Sequence, residues 1–455
     1  MRRRVAGALA VGIAGAAFAA AGLVPASAAV PQPGPVAQSP VAWTPNLFGG
    51  TVRGTVIVGS EVVSGGSFTS ACQEGPKADG YCKPGTMVTR NYIVAYAMNT
   101  GVISATFHPA LDGQIYQLAA GPGGTVYAGG AFVHANGRYH RGIVQLNVSN
   151  GAVVSGLKAT LNNGYARTIA VHGNELYVGG QFTSVNGVAR TDVARLNATT
   201  GAVDPKFHFT ISDPLPSAMD PVKLMYLVVS PDGTRVVFDG PFGMVNGVSR
   251  PRLAMIATAG TYGSAAILAN WRAPILNINC PIDVYTRGLD FSPDGRYFVI
   301  GTTGGPTWPN NQPNLCDAMA QFRTGATGNV APMWINYTGG DSIYVVADTG
   351  SVVYEGGHNR WLNNQRGHDT PVGGCFDNPA CPPLWLSGIP GNSTTGGIGA
   401  VNPATGDAIT TWTPAKTRGH GTELLMAFAG GLFVGSDGNI IHNVYRSEIA
   451  MLPLK

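Results

Sequence analysis

At 455 residues the chain exceeds one ordinary domain by length, yet only 11% of it is charged, and its 64 glycines and 32 prolines mark a chain full of turns. A net charge of +4, with the basic residues scattered, excludes a nucleic-acid binder of the basic-patch kind. No stretch shows sustained helical periodicity, so the chain reads as all-β, built from many short strands.

Residues 1–28 read as a signal peptide. Arg2, Arg3 and Arg4 form a basic start, Val5 to Leu23 an apolar core, and Ala26-Ser27-Ala28 a small-residue cleavage site. The arginine run leaves the general and twin-arginine export routes both open. Residues 29–40 form a Pro-rich linker, and no later apolar run is long enough to span a bilayer. The expectation is a secreted, extracellular monomer with no transmembrane segment after signal removal.

Six cysteines fit that compartment. The preferred pairing is Cys72–Cys82, Cys280–Cys316 and Cys375–Cys381, one of fifteen that sequence alone permits. With no CxxC and no grouped histidines, neither a metal site nor a cofactor is expected.

From residue 41 onward a four-strand unit, A to D, recurs. Strand B is a short apolar run ending in glycine: Val62 to Gly66, Thr125 to Gly130, Glu175 to Val178 before Gly179-Gly180, Val236 to Gly240, Phe298 to Gly301, Val352 to Gly357 and Leu432 to Gly435. Strand C follows in each, as in Arg90 to Tyr96, Arg190 to Asn197 and Arg446 to Leu452. A glycine turn then leads to strand D, where Phe107, Leu157, Phe207, Trp271, Trp334 and Trp412 recur as packing residues. Strand A precedes B, joined by SPDG turns at Ser230 to Gly233 and Ser292 to Gly295. Seven such units over residues 41–455 predict a seven-bladed β-propeller of four-stranded blades. The seventh unit ends at Lys455 without a strand D, and Val41 to Pro45 echoes one, so an N-terminal strand is expected to close the last blade.

The run from Tyr177 to Phe207, with GGxF, xxNGxxR and ARLN, resembles the delta-60 or DUF5122-type β-propeller repeat of secreted bacterial proteins. VYEGGHNRWLNN at 353–364 resembles a recurring blade motif of the same group. The resemblance implies a propeller and export, and it carries over no catalytic residue.

Strand direction places the B–C and D–A connections on one face, and the three long insertions, Thr69 to Thr89, Thr303 to Leu315 and Gln365 to Thr395, are all B–C. That face is therefore the candidate for function. Arg53, Arg167, Lys223, Arg287, Asp341, His420 and Glu423 start innermost strands around the channel on that face. They read either as a basic rim for an anionic group or as a mouth with internal ion pairs, Asp341 and Glu423 neutralising two of four cations. Trp308, Trp361 and Trp385 fall in B–C connections, where each either stacks on a sugar or protein partner or plugs its own loop. His358, Arg360 and Glu355 are the densest polar departures from the repeat; either they bind a ligand with Trp361, or Glu355 pairs with Arg360 to hold the large loop. Repeat-borne Arg90, Arg190, Arg250 and Arg446 read as structural, bonding loop carbonyls.

No GxSxG, HExxH or P-loop is present. The reading adopted is a non-enzymatic binding propeller recognising a glycan or cell-envelope component through the insertion face. One alternative is a glycoside hydrolase or lyase using carboxylates from among Asp283, Asp341, Glu355 and Glu423. The other is a scaffold for another extracellular protein.

Overall fold

The protein, a computed structural model, is described over residues 30–455 except 76–80, 216–223, 259–264, 268–269, 279, 281–283, 306–313, 340, 365–383 and 387–394. The leader, Lys223, Asp283, Trp308, Cys375 and Cys381 lie outside the described residues.

Glycine and Asn-Gly turns divide the chain into hairpins, and the hairpins assemble into sheets of one pattern. In the first, Val52–Val58 pairs antiparallel with Glu61–Gly66, which pairs with Ile93–Ala97. The same order recurs six more times among the described residues, with inner strands Ile115–Gly121, Tyr165–His172, Tyr226–Val229, Thr286–Phe291, Ile343–Asp348 and Thr422–Phe428. Each inner strand lies beside the next, and the seventh lies beside the first. Among the described residues a single 3-10 turn, Pro274–Leu276, interrupts an otherwise all-β architecture. Sheets stacked radially about a shared axis are the arrangement of a β-propeller.

The core is distributed between the sheets. Val63 and Ile93 of the first sheet pack with Ile115, Val126 and Leu146 of the second, and the pattern repeats around the molecule. The last such cluster joins Phe433, Ile449 and Met451 of the seventh sheet to Val62, Val94 and Tyr96 of the first. Trp271, Trp334 and Trp412 are each at most 1% exposed within these clusters. Gly406 shows how closely the turns fit: at φ 76° it lies against the Trp334 ring, which a Cβ there would meet at 2.6 Å.

Strand D departs from expectation. A ladder forms in the fourth and fifth sheets, through Ala265–Ile267 and Trp334–Tyr337. In the first, second, third and sixth it shrinks to a single bridge, Tyr96 to Ile103, Leu146 to Val153, Leu196 to Val203 and Val401 to Ala408. The reason is local. The returning segment makes its pairing bonds and then turns inward to bury Phe107, Leu157 or Phe207 between sheets.

The expected xxNGxxR motif forms a small side hairpin. Asn136-Gly137 and Asn186-Gly187 both hold positive φ at the two turn positions, the type I′ geometry that Asn-Gly favours. The Asn186 amide also ties two sheets together, donating to the Gly201 carbonyl of its own sheet at 2.9 Å and to the Lys158 carbonyl after the preceding sheet at 2.6 Å, and accepting from Thr160 N.

The Pro-rich segment does more than link. Gln32 donates to the carbonyls of Gly431 and Phe428, Val36 N donates to the Tyr354 hydroxyl, and Trp412 Nε1 donates to the Val36 carbonyl. Val36 is fully buried, so this segment is packed across the sixth and seventh sheets. Cys72–Cys82 and Cys280–Cys316 are disulfide-bonded. No described helix is long and apolar enough to cross a membrane.

Candidate functional site

Six of the seven inner strands carry a bulge near their start, between Val52 and Gly54, Ile115 and Gln117, Ala166 and Thr168, Arg287 and Leu289, Ile343 and Val345, and Thr422 and Leu424. A bulge releases one residue from the ladder and re-aims its side chain. Taken sheet by sheet, the residues at or beside these points are Arg53, Tyr116, Arg167, Arg287, Tyr344 and Glu423, and the fourth inner strand, which has no bulge, opens on Tyr226. Cation and phenol alternate, and a carboxylate takes the last place.

Contacts follow that order. The Arg167 guanidinium lies 4.6 Å and the Arg53 guanidinium 5.8 Å from the Tyr116 ring centroid. Arg53 also donates to Gln114 Oε1 at 2.8 Å, and Gln114 donates to the Tyr116 hydroxyl at 2.8 Å. Arg287 lies 4.0 Å from the Tyr344 ring centroid and reaches past it to Glu423 Oε2 at 2.5 Å. These distances are within the range of cation–π attraction, which strengthens as water is excluded.

Electrostatics tie the group together. Burial opposes ionisation of Glu423, yet Arg287, Arg167 and Arg53 outweigh it and hold the carboxyl below its ordinary range. Burial lowers Arg53, and although Glu423 opposes this, repulsion from Arg167 and Arg287 adds to it. Arg167 has no carboxylate within ion-pair distance among the described residues. Asp239, which accepts from Tyr226 N, also feels Arg287 and Arg167, but burial pushes its carboxyl well above its ordinary value. Glu423 is thus the one described carboxylate at the mouth that the three guanidiniums hold in its charged form. Below the mouth the channel encloses a cavity of about 120 Å³, with Arg53, Arg167, Tyr226 and Glu423 among its lining and Val30 also on its wall.

A second cluster adjoins the first. Asp341 accepts from Arg360 Nε at 2.6 Å and from Arg418 Nη2 at 2.5 Å. Arg418 also donates to the His358 carbonyl at 2.5 Å, and His358 Nδ1 is 2.7 Å from the Tyr344 hydroxyl, which joins the clusters. Burial lowers the His358 pKa, favouring the neutral imidazole. Arg360 lies 4.1 Å from the Trp361 ring centroid, and Trp361 meets Trp385 edge-on at 4.9 Å.

Residues 174–207, within the third sheet, match the family described as "Domain of unknown function (DUF5122) beta-propeller". This is a DUF5122-type β-propeller repeat. No curated protein matches the chain in sequence. Among solved structures it is similar to the computationally designed Ika8 protein, at 10% identity and TM-score 0.45, covering 90% of this chain and 98% of that one. It is also similar to the Cps50 (Swd1) beta-propeller domain of Myceliophteria thermophila, at 9% identity and TM-score 0.36, covering 67% and 79%. A third is Kuenenia stuttgartiensis hydrazine synthase, at 14% identity and TM-score 0.36, covering 68% and 76%.

The expected rim residues divide. Arg53, Arg167, Arg287 and Glu423 do meet at the channel mouth. Asp341 does not neutralise those cations, because Arg360 and Arg418 occupy it. His420 is exposed and pairs with Asp437 at 3.0 Å. Trp361, expected as either an exposed stacking residue or a plug, is only 2% exposed, in a two-residue strand opposite half-buried Trp385. Its ring is therefore not presented to solvent. Glu355 does not pair with Arg360; it is fully buried, accepts from Asn359 Nδ2 at 3.1 Å, and has its carboxyl pushed up to about 7 by burial.

The repeat-borne arginines bond carbonyls. Arg90 and Arg190 donate to Ser104 O and Asp204 O, each at the start of their own strand D. Tyr116, Tyr226 and Tyr344 escaped the sequence reading. Aligning the inner strands on their bulge position would have found Tyr116 and Tyr344, since that column holds a large polar side chain in six of seven repeats, whereas Tyr226 opens the strand without a bulge.

Proposed function

We propose that the chain is an exported, seven-bladed propeller of four-stranded blades, closed by its own N-terminal segment, that recognises a glycan or cell-envelope component through the B–C/D–A loop face. Closure is supported by Val41, whose N–H donates to Met451 O at 2.9 Å as Ser104 N does to Ala95 O. Export is supported by the leader and by two disulfides. The observation that carries the binding reading is the convergence of Arg53, Arg167 and Arg287 with three tyrosines at the channel mouth, on the face that bears the long insertions. A rigid scaffold with polar groups converging on a concavity is the usual form of a ligand site.

Carboxylate catalysis has less support. Glu423 and Asp341 are held by arginines, and Glu355 is sealed from solvent. A protein partner is the second reading. It is favoured by Tyr139, Val188, Val248 and Ile440, exposed apolar residues on the side hairpins of four sheets.

The test is a glycan array probed with the purified protein. Binding to envelope glycans that Arg167→Gln weakens supports the reading. A blank array, with capture of a single extracellular protein instead, would transfer it to the second.

A further inference from the structure

Building on that reading, we infer that the channel mouth binds one small oxyanionic group, a carboxylate, sulfate or phosphate, presented end-on between Arg53 and Arg167.

The first support is the arrangement of charge. Glu423 is committed to Arg287 at 2.5 Å, and Arg53 is oriented by Gln114. Arg53 and Arg167 both pack on the Tyr116 ring and each feels the other's charge. An acceptor at the mouth thus meets two guanidiniums of which only Arg53 has a described side-chain hydrogen bond, through Nη1 to Gln114. Glu423 relieves part of the repulsion among the three arginines, but its hydrogen bond goes to Arg287, and an anion would relieve the rest.

Shape is the second support. A cavity of about 120 Å³ is far below the ~300–1,000 Å³ of pockets that enclose whole drug-sized ligands. A pendant group enters; a sugar ring stays outside, against the tyrosines and the loops. Val30 lines the cavity, and Gln32, two residues on, is bonded to Thr349, Phe428 and Gly431 in the A–B turn region. The N-terminal segment thus crosses that end, and entry is from the arginine end.

The third is the role of Glu423. It is the internal anion that any ligand must compete with, since it feels all three arginines. Its removal leaves the mouth with more positive charge and one fewer competitor.

Calorimetric titration of the purified protein at low ionic strength tests this, with inorganic phosphate, inorganic sulfate, glucuronate and neutral glucose as probes. The expected result is binding of the anions and none of glucose, weakening as salt is raised. Arg167→Gln and Arg53→Gln should each weaken it about tenfold or more, and Glu423→Gln should strengthen it several-fold. Arg296→Gln, an exposed arginine of an A–B turn, should change nothing. A glucuronate preference over the inorganic ions identifies a pendant carboxylate; the reverse identifies a free oxyanion. The inference is overturned if no anion binds, if Arg296→Gln weakens binding as much as Arg167→Gln, or if Glu423→Gln abolishes it while thermal unfolding shows the variant folded. Array binding that survives Arg167→Gln, with no anion bound, rejects this inference and leaves glycan recognition standing. Anion binding with a blank array does the opposite.

Discussion

Arg446 Nε donates to the Val41 carbonyl at 2.9 Å, joining the two ends of the described chain across 405 residues. Arg90 likewise donates to a carbonyl, through Nη2 to Ser104 O at 3.1 Å, and Arg190 through Nη2 to Asp204 O at 2.9 Å, both within one sheet. Under the proposed closure Val41 takes the place that strand D has in those sheets. Arg446 is 3% exposed and also lies 3.5 Å from Glu74, so its loss strands buried partners. Arg446→Ala should cost ~2–3 kcal/mol by urea unfolding, and more than Arg90→Ala, whose arginine is less buried. Equal losses would argue against closure by the N-terminal segment.

The ARLN motif contains a buried ion cluster. Arg195, fully buried, holds Asp204 through Nη2 at 2.5 Å and Nε at 2.8 Å, and Glu175 through Nη1 at 3.2 Å. Removing one partner of such a group leaves charges buried and uncompensated, at ~3–5 kcal/mol. Arg195→Ala should lower the denaturation midpoint accordingly, and adding Asp204→Asn should recover part of the loss. A double variant as unstable as the sum of the two singles would show that the pair is not coupled.

Glu355 gives a pH dependence of definite sign. In the unfolded chain it releases its proton near its ordinary value of 4.5, whereas in the fold it keeps it to about 7. Between those values the folded state binds more protons, so raising the pH costs stability, up to about 3 kcal/mol, and costs no more above 7. Glu355→Gln has no proton to lose. Its stability relative to the parent should rise from pH 4.5 to pH 7 and then level off; a flat difference would contradict the assigned burial. Asp317 and Asp348, also raised to about 7 by burial, act in the same direction and cancel in that comparison.

Cys280 and Cys316 are 36 residues apart in sequence. A loop of that length restricts the unfolded chain by ~3–4 kcal/mol in the chain-entropy account. Cys280→Ser with Cys316→Ser should reduce stability by that order, and by more than the equivalent change at Cys72 and Cys82, which are only 10 apart. Peptide mapping of the purified, unreduced protein should recover both bridges.

Much of the architecture was legible because its signals are local and repeated. Glycine pairs end strands, Asn-Gly forms the side hairpin, and a large apolar residue fills the space between sheets at one offset, as Phe207 and Trp412 do. The mouth was half legible. Arg53, Arg167, Arg287 and Glu423 stood out by charge, but Tyr116 and Tyr344 share their column without sharing their chemistry, and a bulge cannot be read from one strand alone. Partners distant in sequence were hidden for a different reason. Asp341 takes Arg418, 77 residues on, and Trp361 meets Trp385 across an insertion, so neither pairing leaves a periodic trace.

The central claim, that the insertion face with its channel mouth is the working surface, is tested most directly by hydrogen–deuterium exchange with a glucuronate-containing polysaccharide. Slowed exchange is expected at the starts of the inner strands, around Arg53, Arg167 and Arg287, and in residues 358–361. Protection confined to the opposite turns, Ser230 to Gly233 and Ser292 to Gly295, would contradict it.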